Sequence, residues 1–305
     1  MKLYEYQAKE IFKEVGIPVP KSIIIEKSDD VIEPMHTIGL PLVVKSQVLS
    51  GGRGKAGLIS FCKSEQDVLF HVNRLFHHDV KINKLLLEQA VSIDREIYVS
   101  ITIDPVDAKA LLIASAEGGI DIETLAVTKP EAIIKKPIDM RYGLLSYQAT
   151  ELSYDLGFDA VQTKKLIPIL MKLYQAFVKY DAELVEINPL FITTSGDFIA
   201  GDGKLMIDDN SMFRHQDFEQ TFDDYKSEAE YEASLEGIPF IQFDGEIGLM
   251  CAGAGLTTTV YDLINYEGGR VANYLEFGGP HYKKAVKAME ICLKVPSKVI
   301  LIVTF

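Results

Sequence analysis

The run VVKSQVLSGGRGKAGLISF, Val43 to Phe61, constrains this chain more than any other stretch, because two apolar segments are joined there by a loop of glycines and cations. Such segments read as strands, and a connection too short to hold a crossover helix leaves an antiparallel pair, with arms at Leu42 to Val48 and Leu58 to Cys62. Glycines without Cβ let backbone N–H groups approach an anion closely, and Arg53 and Lys55 add charge beside them. The loop fits neither the G-x-G-x-x-G nor the G-x-x-x-x-G-K-S/T pattern, and no helix opens directly after it. On the loop alone a flexible hairpin tip is an equal reading. Lys45 shifts that balance, since an ammonium inside LVVK is costly to bury without an anion or hydrogen-bond partners.

The rest of the composition limits what that anion belongs to. A net charge of -13 disfavours nucleic acid, whose affinity rests on Lys and Arg neutralising phosphates. Any anionic ligand must be met by local charge, and Lys45, Arg53 and Lys55 form the densest cationic site beside glycines. The N-terminus MKLYEYQAKEIFKEVG lacks an apolar signal region, and no apolar run approaches membrane-spanning length, so neither export nor a membrane is expected. Cys62, Cys251 and Cys292 have no metal-ligand spacing and are odd in number, which fits a reducing cytoplasm.

Along the chain, Tyr4 to Val15 has helical apolar spacing and stops at Gly16. Leu85 to Ala90, Glu96 to Ile103 and Lys109 to Ala116 read as further strands. Ser64 to Phe76, Leu145 to Leu156 and Ala160 to Tyr180 read as helices. From Glu219 to Glu236 seven acids face one lysine, which reads as a connecting segment before GIPF. Beyond it, GEIGLMCAGAG, LTTTVYDLINYEGG, VANYLEFGG, HYKKAVKAMEICL and KVILIVTF alternate strand and helix in a doubly wound parallel pattern. VILIVTF reads as a buried parallel strand with nothing after it to cover it.

The hairpin AELVEINPLFI, TTSGD, FIAGDGKL carries the clearest metal signal. A turn centred on Ser195 sets Asn188 opposite Asp202 and Glu186 opposite Lys204, and period-two alternation puts all four on one face. An amide oxygen beside a carboxylate suits Mg²⁺, which completes its shell with water and nucleotide phosphates. A solvated hairpin face is the competing reading. Glu88 and Glu96, at strand ends, read individually as surface acids. The six histidines show neither metal-ligand spacing nor a triad with serine, and no covalent nucleophile stands out.

LYEYQAKEIF, VVKSQVLSGGRGKAG, LLLEQAV with Glu96 behind it, SAEGGIDIE, VEINPL and GDGKL, in this order, resemble the β subunit of succinyl-CoA synthetase over essentially the whole chain. The resemblance implies an α/β chain: an α+β ATP-grasp nucleotide-binding domain over 1–237, then a flavodoxin-like doubly wound parallel domain over 238–305, incomplete at its C-terminus. It implies a reversible acid–CoA ligase forming NDP, working with an α-type CoA-binding subunit that carries a phosphorylated histidine and inactive without it. Lys45, Gly52, Arg53, Gly54, Glu88 and Glu96 match the ATP site, with Val91 contributing backbone contacts. Asn188 and Asp202 match the Mg²⁺ ligands, Glu186 matches the glutamate that meets the partner's histidine, and Pro20 corresponds to ATP-preferring rather than GTP-preferring members.

The second domain departs from that pattern. Ala252 in CAGAG stands where succinate-using members carry an acid-contacting asparagine, and YLEFGGP replaces a D-V-G-G-G-like segment. Another carboxylate, such as malate, citrate, acetate or a different acyl acid, is therefore an open alternative to succinate. A scaffold that binds nucleotide without turnover also stays open. A dinucleotide-dependent oxidoreductase built on Gly253-Ala254-Gly255 is disfavoured because Thr258 occupies the third glycine position.

Overall fold

Among the described residues, strand pairing forms three sheets. The computed structural model describes residues 1–49, 51–218, 221–222 and 225–304, the side chains of 280 and 281 excepted. Two compact units emerge, Met1–Phe218 and Glu219–Phe305.

The first unit opens with α1 (Glu5–Val15), β1 (Ser22–Glu26), α2 (Ile32–Ile38), β2 (Leu42–Ser46), β3 (Ile59–Cys62), α3 (Glu65–Phe76) and β4 (Lys84–Gln89). The strands form an antiparallel sheet in the order β1-β4-β2-β3, with Leu42 opposite Cys62 and Lys45 opposite Ile59. The glycine-rich loop thus joins neighbouring antiparallel strands, as its length demands; Ser50 within it lies outside the described residues. Ser64 caps α3 by accepting the Asp67 N–H, and Val68, Val72 and Leu75 pack on Leu42, Val44, Leu85 and Leu87.

The larger sheet follows from β5 (Ile93–Asp104), β6 (Lys109–Ser115), α4 (Ile122–Thr128), β7 (Ile134–Ile138), α5 (Ser146–Asp155), α6 (Ala160–Lys179), β8 (Ala182–Thr193), β9 (Phe198–Ala200) and β10 (Lys204–Ile207). Its order is β10-β8-β5-β6-β7, with β9 paired to β8. Asp159 caps α6 through the N–H groups of Val161 and Gln162. Leu166, Ile169, Leu170, Leu173 and Phe177 recur at helical spacing and bury against the sheet core of Val99, Ile101, Val185 and Ile187. Helix α1 also buries one face there, through Ala8, Ile11, Phe12 and Val15, and Gly16 ends it in the left-handed conformation.

The second unit contains α7 (Glu228–Leu235), β11 (Phe240–Gln242), β12 (Ile247–Cys251), α8 (Ala254–Tyr266), β13 (Val271–Leu275), α9 (Ala285–Lys294) and β14 (Val299–Val303). The sheet order is β11-β13-β12-β14, with β12 parallel to both β13 and β14 and β11 antiparallel at the edge. The resemblance implies a start of this domain at 238. In the structure α7 already belongs to the second unit, because Ala229 and Ala233 bury in its core beside Ala288 and Ile291. GIPF, read as a break, leads directly into β11. Strand β14 is parallel as anticipated but not buried: Val299, Leu301 and Ile302 are exposed. No helix among the described residues is long and apolar enough to cross a membrane.

Candidate functional site

The hairpin sets the geometry. Leu190 pairs with Ala200 and Lys204 with Glu186, the register that a turn centred on Ser195 imposes. Between β9 and β10 the ladder is interrupted at 201–203, where GDG turns Asp202 out of the sheet. A Cβ on Gly201 would lie 2.3 Å from the Phe191 ring, and one on Gly203 would lie 2.6 Å from the Phe12 ring. Only glycines let the backbone pass between those two rings. The Gly203 N–H fixes Asp202 from behind, donating to Oδ1 at 2.7 Å.

The glycine-rich loop and the hairpin line one cleft of about 590 Å³ with Lys2, Glu5, Val48, Gly52, Arg53, Gly54, Gly119, Asp121, Glu123, Glu186, Asn188, Asp202 and Lys204. Arg53 spans it. Its Nη2 lies 2.7 Å from both carboxylate oxygens of Asp202, and its Nη1 donates to Glu5 at 2.5 Å and to the Ser46 carbonyl at 3.2 Å. Lys55 is exposed and pairs with Asp121 at 2.5 Å, so the loop's second cation has a partner other than those of Arg53.

Lys45 has the partners its strand position demanded. Its ammonium donates to Glu5 at 3.0 Å and the Gly201 carbonyl at 2.6 Å, and lies 2.7 Å from Glu88. Lys9 adds a second cation against Glu5 at 2.9 Å, donates to the Gly201 carbonyl at 2.8 Å and contacts Glu88. Glu5, Lys9, Lys45, Arg53 and Glu88 are all buried. Burial opposes charge on Lys45, but Glu5, Glu88 and Asp202 outweigh it and hold the ammonium above the usual lysine range. Burial likewise pushes the Glu5 carboxyl up, while Lys45, Lys9 and Arg53 overcome that and hold it well below the carboxylate range. Glu5, Lys45 and Arg53 are therefore held in their charged forms. Glu88, read individually as a surface acid, is an internal counter-ion.

Asn188 is held by the loop after β6. Its Oδ1 accepts the Gly119 N–H at 2.8 Å and its Nδ2 donates to the Ile120 carbonyl at 2.9 Å. SAEGG and VEINPL, far apart in sequence, are thereby brought together. Burial raises the Glu186 carboxyl, Lys204 and a 3.1 Å hydrogen bond from the Tyr98 hydroxyl oppose this, and Glu123 and Asp202 add to it. Burial lowers the Lys2 ammonium, with Lys204 and Arg53 acting in the same direction.

Val91 and Glu96 are not among the described residues that line this cleft. Both are half-buried, and the Glu96 carbonyl accepts the Gly118 N–H at 3.1 Å. Ala252 lies in the other unit and is fully buried beside Ala272 and Leu275, where β12 turns into α8. Phe277 of YLEFGGP donates its N–H to the Cys251 carbonyl at 3.0 Å, so the two segments that depart from the family pattern are adjacent.

A divalent cation fits the donor chemistry of the cleft. Asn188 and Asp202 offer two hard oxygens, a set that Mg²⁺ accepts when phosphate and water supply the rest. No cluster of three or more His, Cys, Asp or Glu suited to a metal occurs among the described residues, so such an ion would depend on its ligand's oxygens.

An antiparallel sheet carrying a glycine-rich hairpin, set against a larger antiparallel sheet that presents acids, an amide and cations, is the arrangement of a nucleotide-binding grasp domain. The ATP-grasp domain family model matches residues 2–192. The chain is 68% identical over 305 residues to the ADP-forming sulfoacetate-CoA ligase subunit SqwK of an Acholeplasma species, covering all of this chain and 76% of that protein. It is 41% identical over 310 residues to the succinate–CoA ligase (ADP-forming) subunit beta of Ignicoccus hospitalis, covering all of this chain and 82% of that one. Among solved structures, ATP citrate lyase from Methanothrix soehngenii superposes with a TM-score of 0.70 at 19% identity, over all of this chain and 80% of that chain, which speaks to the fold alone. The chain thus belongs to the ATP-grasp family and, within it, to the β-type subunits of ADP-forming acid–CoA ligases.

Glu5 and Lys9 were not legible as site residues. Their i,i+4 spacing on a charged helix is the usual signature of an exposed pair. Lys2 also escaped notice, since it lies in no phosphate-binding pattern, and Gly119, though within SAEGGIDIE, was given no role in the site.

Proposed function

We propose that this chain is the nucleotide-binding subunit of a ligase that joins CoA to sulfoacetate, using Mg-ATP and exchanging a phosphoryl group with a histidine on an α-type partner. The observation that carries the nucleotide part is the convergence of the glycine-rich loop, Arg53, Asp202, Asn188 and Lys204 on one cleft. The acid follows from similarity: 68% identity to a sulfoacetate-CoA ligase subunit against 41% to a succinate–CoA ligase subunit. Ala252 agrees with that choice, because a methyl group cannot supply the hydrogen bond that an asparagine gives to succinate.

In this reading the triphosphate lies between the loop of Gly52 and Gly54 and the hairpin, and Lys2, Arg53 and Lys204 provide its positive surroundings. Lys45 and Glu88 work from behind, holding the β2 and β4 backbones and the Gly201 carbonyl in register. Val91 and Glu96, neither of which lines the cleft, are assigned to the nucleoside end, with the Glu96 carboxylate lying against Gly119. Asn188 and Asp202 would hold Mg²⁺, which when bound neutralises phosphate oxygens. Glu186, steadied by the Tyr98 hydroxyl, accepts the N–H of the incoming imidazole and turns its other nitrogen toward the γ-phosphate. The bond from Pγ to the ADP oxygen breaks as the bond from Pγ to the histidine nitrogen forms. The phosphoryl group then passes to the acid's carboxylate, and the CoA thiol displaces phosphate to leave the thioester.

ATP radiolabelled at its γ-phosphate tests this scheme when incubated with the chain alone and with an α-type subunit. Acid-labile, base-stable label on the partner is expected. Stable label on this chain alone would refute it.

A further inference from the structure

Arg53 and Asp202 carry roles that conflict. A phosphate-binding cation is bonded to a metal-binding carboxylate, with one guanidinium nitrogen 2.7 Å from each of its oxygens. Asp202 Oδ1 also accepts the Gly203 N–H at 2.7 Å, so both oxygens are committed to donors. A divalent cation approaching Asp202 in this arrangement meets a guanidinium already on the ligand, and like charges at such distances disfavour one another. The two members of the pair are unequally anchored: the Arg53 side chain is 8% exposed and that of Asp202 31%. Arg53 Nη1 is tied independently to buried Glu5 at 2.5 Å and to the Ser46 carbonyl. A phosphate oxygen offers Nη2 a stronger acceptor than a carboxylate shared with Gly203, and Nη2 can change partner while Nη1 stays on Glu5.

We propose that Arg53 withholds Asp202 from metal until nucleotide phosphate draws the guanidinium away, with Glu5 as the positioning residue that keeps Arg53 in place during the exchange. This rests on the assignment of Asp202 as a metal ligand and adds an order of loading to it. Metal enters with nucleotide, not before it. The unliganded site is thereby kept free of a cation that would leave the phosphate-binding loop without its counter-charge.

Removing Arg53 leaves the buried network balanced, with Glu5 and Glu88 against Lys9 and Lys45, so an Arg53→Met chain keeps its internal pairing. Mn²⁺ serves as a probe, because electron paramagnetic resonance reads its free concentration without turnover. Wild type, Asp202→Asn, Arg53→Met, Arg53→Lys and the double variant Arg53→Met, Asp202→Asn are titrated with Mn²⁺ alone and with Mn-ATP, circular dichroism confirming the fold of each. Arg53→Met should bind Mn²⁺ alone about tenfold or more tightly than wild type, while binding Mn-ATP more weakly. Arg53→Lys, which keeps the charge with a shorter reach, should fall between them, and the double variant should lose the gain. Equal affinity of wild type and Arg53→Met for Mn²⁺ alone overturns the proposal. If Asp202→Asn in the wild-type background still weakens Mn-ATP binding, the metal assignment survives that failure; if it does not, both fall together.

Discussion

The side-chain oxygen of Asn188 on β8 accepts the backbone N–H of Gly119 at 2.8 Å, tying the hairpin that carries the metal-type ligands to the loop that follows β6. The tie depends on how closely that loop approaches β5. A Cβ on Gly118 would lie 2.6 Å from the Ile97 backbone nitrogen, which a rigid central strand cannot yield. Gly118→Ala should therefore displace the Asn188 contact, weaken Mg-ATP binding by about tenfold and lower stability by about 1–3 kcal/mol. Calorimetric titration and thermal melting check both; an unchanged affinity would show that the loop does not position Asn188.

Asp202→Ala and Lys45→Ala should each abolish the thermal shift given by Mg-ATP, but for different reasons and at different cost. Asp202 is partly exposed and its removal leaves Arg53 paired with Glu5, so the apo protein should melt close to wild type. Lys45 is buried between two carboxylates, and its loss should cost on the order of 3 kcal/mol because Glu5 and Glu88 keep fewer partners. Full Mg-ATP shifts in both variants would remove them from the site.

Glu5 makes the network sensitive to acid. Its folded-state carboxyl is held well below the ordinary glutamate value of 4.5, so its contribution to stability is present above about that pH and is lost as pH falls through the depressed value. Glu5→Gln should destabilise the protein by on the order of 3–5 kcal/mol at neutral pH, and the gap between variant and wild type should close in strong acid. Denaturant unfolding at several pH values measures it. A gap independent of pH would mean that packing, and not charge, holds the five residues together.

Ala252→Asn places an amide where the wild type has a buried methyl group at the end of β12. The ratio of kcat/KM for sulfoacetate to that for succinate should fall by about tenfold, the discrimination worth of one hydrogen bond in a closed site. A panel of acids assayed with CoA and ATP decides the matter, and an unchanged ratio would detach residue 252 from acid selection.

How far the sequence reveals this protein depends on whether the signal is local. The hairpin register was readable, because turn chemistry at 194–197 and strict alternation fix which residues oppose each other, and Lys204 opposite Glu186 follows directly. Helices α3 and α6 were readable from apolar period and capping residues. By contrast β1 is a five-residue strand, SIIIE, lying beside IPVP, and β11 spans only three residues, so their pairing with β4 and β13 is decided by distant partners. Glu5 and Lys9 stayed hidden for a related reason. A charged pair on an amphipathic helix turns inward only where Lys45, Arg53 and Glu88 arrive from other elements to meet it.

The proposed function makes sulfoacetate the acid that is joined to CoA. The most direct measurement is the rate of ADP release by the chain assembled with an α-type CoA-binding subunit, given ATP, Mg²⁺ and CoA with either sulfoacetate or succinate at equal concentration. ADP release should require both CoA and acid and be faster with sulfoacetate. Equal or faster release with succinate, or none with sulfoacetate, would contradict it.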